Sequence, residues 1–118
     1  MGLSTHVLDT AHGCPAAGMA VELWSTSPDG PAQLIKRVIL NSDGRNPDGP
    51  LLATGELSVG TYRLTFAVKE YFSAKGAQQA EPAFLDKVSL DFGVADAGAH
   101  YHVPLLVSPW SYSTYRGS

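Results

Sequence analysis

The sequence holds one cysteine, Cys14, so no internal disulfide can staple it. Charge is sparse too: Asp, Glu, Lys and Arg are 16% of 118 residues, and the net charge is −3. No basic cluster occurs, which argues against nucleic acid as a partner. No apolar run approaches the ~20 residues that a membrane helix needs. The opening residues, Met1 to His6, lack the charged and apolar regions of a secretory signal, so a cytoplasmic location is expected. There is no Gly-x-Ser-x-Gly elbow, and nothing sets a base beside Cys14, so a covalent nucleophile finds little support.

What the chain does have is alternation. Its hydrophobic fraction, 44%, is that of a globular domain able to bury a core. Leu3 to Asp9 reads as a strand, with Leu3, Thr5 and Val7 on one face and Ser4, His6 and Leu8 on the other. Met19 to Thr26, Gln33 to Asn41, Gly60 to Lys69 and Lys87 to Val94 alternate likewise, and Leu51 to Ala53 is a candidate edge strand. The run Gln33 to Asn41 groups Leu34 with Val38 and Leu40. Ser27 to Pro31 is a turn, and Asn41 to Pro50 is a polar loop. Glu70 to Gln79 breaks the period and predicts a short helix, weakened by Gly76. Near the end, Tyr101, Val103, Leu105 and Val107 oppose His100, His102, Pro104 and Leu106. A Ser108-Pro109-Trp110-Ser111 turn then leads into a second short run. Pro104 within a strand implies an edge or a bulge. Seven or eight strands and one helix predict an all-β, two-sheet antiparallel sandwich spanning residues 1–118 as a single domain.

Few residues could do chemistry. The turn Asp43-Gly44 pushes Arg45 outward, where its donor fork can grip a planar oxygen-rich group. On composition alone a solvated loop arginine is the commoner reading. His6 lies opposite the apolar face of its strand. Facing His102 and Arg45, it would join a site with a group that titrates near neutrality; facing water, it would be unremarkable. His100 and His102 share a strand face, a metal-ligand spacing that His6 could complete, though nothing else supports zinc. His12, in a turn, is expected to be exposed and idle.

Three separated blocks carry a resemblance. They are Leu3-Ser4-Thr5-His6-Val7-Leu8-Asp9 with Gly13 and Pro15-Ala16, then Asp43-Gly44-Arg45, then His100 to Ser118. The chain resembles the transthyretin-related 5-hydroxyisourate hydrolases across its whole length. The ending Tyr115-Arg116-Gly117-Ser118 is the most specific element and differs from the apolar tail of transthyretin itself. Departures are minor: Cys14 where a basic residue is common, Asn46-Pro47 after the arginine, and Trp110 where tyrosine is usual. The resemblance implies a transthyretin-like sandwich and hydrolysis of 5-hydroxyisourate to 2-oxo-4-hydroxy-4-carboxy-5-ureidoimidazoline. It implies His6, Arg45 and His102 as catalytic residues and His6, Arg45, Tyr115 and Ser118 as substrate contacts. No cofactor or metal is implied. The family assembles as a homotetramer, a dimer of dimers with sites at the dimer–dimer interface. The alternatives are a transthyretin-like carrier of an aromatic ligand and a purely structural sandwich domain.

Overall fold

The computed structural model describes residues 2–117. In chain order the strands are β1 (Leu3–Asp9), β2 (Cys14–Pro15), β3 (Ala20–Ser27), β4 (Gly30–Ile39), β5 (Gly60–Phe66), β6 (Val88–Val94), β7 (Tyr101–Val107) and β8 (Tyr112–Thr114). The helix α1 (Val68–Ala74) lies between β5 and β6, and a 3-10 turn covers Thr54–Glu56. One sheet runs β2-β1-β7-β8 and the other β4-β3-β5-β6. Their inner faces carry the alternating apolar residues. Leu3, Val7, Leu105 and Val107 of one sheet and Leu64 and Phe66 of the other are fully buried. This is the expected sandwich with one α-helix.

Every strand pair is antiparallel except β1 with β7, which run parallel. Period-2 patterning sets the faces of a strand and says nothing about its partners. That parallel pair sets Ser4 opposite His102 and His6 opposite Pro104.

Four expectations shift. Leu23 pairs with Lys36 and Trp24 with Leu34, so Ile35 is an extra residue. The bulge changes the phase of β4 and turns Leu34 outward with Trp24, away from the face of Val38. The helix takes Val68 and Lys69, which alternation had assigned to β5, and Gly76 marks its end with φ 73°. Leu51 to Ala53 contributes only a single bridge, Leu52 to Leu3. Pro104 sits in a central strand, between β1 and β8. Its carbonyl accepts from the Thr114 hydroxyl at 2.7 Å, so its missing N–H falls on the β8 side. There the β7–β8 ladder lapses beyond Leu105, and pairing resumes at His102 with Gly117. The proline therefore costs a gap in the β7–β8 ladder and no bond to β1.

Candidate active site

The outer face of the β1–β7 sheet gathers the chemistry. Ser4, His6, His102 and Pro104 alternate onto it, each half-buried or better. Arg45 arrives from the other side of β1, where His6 and Arg45 form an isolated antiparallel bridge. The loop that delivers it is tied down by its own backbone. The Asn41 side-chain oxygen accepts from the Asp43 and Arg45 amides at 2.9 and 3.1 Å. The Asn41 amide donates to the Arg45 carbonyl at 2.8 Å, and the Val7 amide donates to the Gly44 carbonyl at 2.9 Å. The Arg45 side chain itself is exposed and free to meet a ligand.

Gly44 is required by this geometry. Its φ is 73°, and a Cβ there would lie 2.5 Å from the Val7 carbonyl oxygen. Gly44→Ala is expected to destabilise the fold by about 1–3 kcal/mol, read by denaturant unfolding, and to lower activity by moving Arg45.

Both imidazoles are poised to accept a proton. Burial lowers the pKa of His6 below its usual value, and the Arg45 charge lowers it further; the Asp43 backbone and carboxylate act the other way. Burial also lowers that of His102, aided by Arg45, His100 and His6 and opposed by the Ser4 backbone. The mutual effects place His6, His102 and Arg45 in one electrostatic neighbourhood. His100 stacks on His102 with ring centroids 6.4 Å apart, and its Nδ1 is buried without a hydrogen bond. Among the described residues, no three His, Cys, Asp or Glu side chains gather as a metal would need.

The terminal segment divides. Arg116 stacks over the Tyr101 ring at 4.1 Å, on the inner side, and donates to the His100 carbonyl at 3.3 Å. Tyr115 is exposed and lines a cleft together with Tyr101 and Arg116, without a hydrogen bond to His6, Arg45 or His102. Ser118 lies outside the described residues. The clefts of about 330 Å³ along β6 and β8 and about 430 Å³ beside α1 include neither the histidine pair nor Arg45. The site is an open sheet face.

Sequence patterning missed two neighbours, Ser4 and Gly117, because only strand pairing brings them to His102. His12 is exposed, as expected, but it is not idle: its ring binds the buried Asp9 carboxylate at 2.6 Å. The three-residue spacing from Asp9, at a strand end entering a turn, was the available signal.

The chain matches the HIUase/Transthyretin family over residues 3–117. It belongs to that family. A relative from Ralstonia nicotianae named 5-hydroxyisourate hydrolase is 58% identical over 116 residues, covering 98% of this chain and 97% of the relative. Among solved structures, (S)-allantoin synthase superposes with a TM-score of 0.93 at 49% identity, covering 99% of this chain and 43% of that one. Sea bream transthyretin in complex with thyroxine gives 0.86 at 25% identity, covering 99% of this chain and 95% of that one. A protein named as a hydrolase and a thyroxine-bound transthyretin thus share one sandwich, so the fold alone does not fix the function.

Proposed function

We propose that this chain hydrolyses 5-hydroxyisourate, giving 2-oxo-4-hydroxy-4-carboxy-5-ureidoimidazoline in urate breakdown. The observation that carries the reading is one face holding two imidazoles of lowered pKa beside an exposed guanidinium. The 58% identity to a named hydrolase supplies the substrate.

In this mechanism one imidazole takes a proton from water as the oxygen attacks a ring carbonyl. The C–O bond forms, a tetrahedral oxyanion develops, and the ring C–N bond breaks. The leaving nitrogen recovers a proton from the imidazolium. Arg45 holds the oxygen-rich ring and favours the developing negative charge. Tyr115 orients the substrate by hydrogen bonding and stacking, and Ser118 is a substrate contact on the family resemblance alone.

The working enzyme in this reading is a homotetramer with a second copy enclosing the open face. Support comes from β8 and β6, which end their sheets as edge strands, and from exposed Trp110, Tyr112 and Tyr115 nearby. A cytoplasmic setting suits the free Cys14. No helix among the described residues is long and apolar enough to cross a membrane.

The test uses 5-hydroxyisourate generated in place by urate oxidase, with chelator present, and follows its ultraviolet decay. The expected result is accelerated decay that survives chelation. Decay at the spontaneous rate, from folded protein, would overturn the hydrolase and favour a carrier. Dependence on metal would overturn the metal-free mechanism. Sedimentation equilibrium reads the assembly, with a stable monomer as the contrary result.

A further inference from the structure

We infer that Ser4 and Gly117 are positioning residues that clamp the His102 imidazole between neighbouring strands, fixing its proton on Nδ1 and leaving Nε2 bare. The clamp rests on geometry; the proton's place and the kinetic consequence rest on the hydrolase reading.

His102 stands on β7, and its register neighbours on either side are Ser4 of β1 and Gly117. The Ser4 hydroxyl lies 2.8 Å from His102 Nδ1. On the opposite flank the Gly117 amide donates to the His102 carbonyl at 2.7 Å, which brings the glycine against the ring. A Cβ at Gly117 would sit 2.7 Å from His102 Cδ2 and 3.3 Å from Cγ. Nδ1 and Cδ2 are the two ring atoms bonded to Cγ. With one hydrogen-bonded and the other covered, the ring has no room to swing toward either strand. His100 lies parallel to it, at an interplanar angle of 11°. The edge left open carries Nε2.

The same contact selects the tautomer. A neutral imidazole has one donor and one acceptor nitrogen, and the partner of one decides the role of the other. A serine hydroxyl can play either part. With Nδ1 turned onto the Ser4 hydroxyl at 2.8 Å, Nε2 is the ring nitrogen left to meet water. A general base needs its lone pair there, so the hydrolase reading puts the proton on Nδ1, donating to the Ser4 oxygen. His102 becomes the group that takes the proton from water, and His6, bridged to Arg45, is left to orient substrate.

The experiment measures the ring nitrogens of His102 by ¹⁵N NMR in the substrate-free protein, above the imidazole titration, alongside steady-state kinetics. Wild type should show Nδ1 protonated and Nε2 bare. Ser4→Ala should give a tautomer mixture, with kcat lowered about 10- to 100-fold and KM within about twofold. Ser4→Thr, which keeps the hydroxyl, should restore both. Gly117→Ala should displace the ring and lower kcat. A wild-type ring protonated on Nε2 overturns the inference, as does a Ser4→Ala protein with an unchanged tautomer or unchanged kcat. Failure of Ser4→Thr to restore either readout also counts against it. An inactive wild type with the expected tautomer would refute the hydrolase reading and leave the clamp standing.

Discussion

Replacing Arg45 with glutamine is expected to lower kcat/KM for 5-hydroxyisourate by about 10²–10³-fold, the range for loss of one oxyanion-stabilising donor. The fold should survive. The Arg45 side chain is exposed, and its loop is held through backbone bonds to Asn41 and through Gly44 to Val7. An exposed substitution of this kind shifts stability by about 0.5 kcal/mol or less. The melting temperature should therefore stay within a few degrees of wild type while turnover collapses.

The same variant carries a pH signature with a definite sign. Burial and then the Arg45 charge depress both His6 and His102. Each imidazole is thus neutral at pH values where a free histidine, with a pKa of about 6.5, would begin to charge. A neutral base loses activity as pH falls through its pKa, so the acidic limb of kcat/KM in wild type lies below that of ordinary histidine. Removing the guanidinium takes away one depressing influence. The acidic limb of Arg45→Gln should then move to higher pH, while burial keeps it from reaching the free value. Arg45→Lys retains the charge and loses the planar fork. Its limb should stay in place while kcat/KM still drops. A glutamine variant as active as wild type, or a limb that moves to lower pH, would remove Arg45 from the chemistry.

The strands and the site were not equally legible. Alternation found β1 at Leu3–Asp9 with both of its bounds, and it put His6 and His102 on faces opposite the core. The Asp43-Gly44 turn found Arg45. Alternation failed where two periodicities met: Val68 continues the apolar face of β5 and also serves as the first buried residue of α1. It failed at Ile35, where a bulge restarts the phase. Pro104 misled because its missing donor was judged against an ideal ladder, whereas the β8 side already lapses there. Most consequential was pairing. A strand sequence carries no label for its neighbour, so the Ser4–His102–Gly117 row existed only once β1 was set parallel to β7. Family resemblance suggested His6, Arg45 and His102 as the catalytic set and could not supply that row.

Asp9→Ala is expected to cost about 3–5 kcal/mol of stability, because it opens a buried hub rather than a surface pair. Asp9 is 1% exposed, yet its carboxylate has four donors. One oxygen accepts the Ala11 and His12 amides, each at 3.0 Å. The other accepts the Tyr71 hydroxyl at 2.8 Å and His12 Nδ1 at 2.6 Å. One side chain thus joins the end of β1, the following turn and α1. Burial alone would raise its pKa, but the bonds from Tyr71 and His12 outweigh burial and hold it below the usual carboxylate value. The same contacts, with burial first, push the Tyr71 hydroxyl up. A depressed carboxylate lends stability that is fully present above about pH 3.8 and fades as pH falls through the folded pKa. Wild type should therefore lose stability in that acidic window, and Asp9→Ala should lose less there because it has already forfeited the contribution. Asp9→Asn keeps an acceptor for the two amides but turns an –NH₂ toward Tyr71 and His12, so an intermediate loss of about 1–3 kcal/mol is expected. Denaturant unfolding across pH reads all three proteins, and an Asp9→Ala protein as stable as wild type would dismiss the hub. Folded Asp9→Ala, assayed in the cold, should still turn over substrate, since no described contact of Asp9 reaches His102 or Arg45. Stability and turnover then fail in different variants, as they must if the hub and the open histidine face are separate devices on one strand.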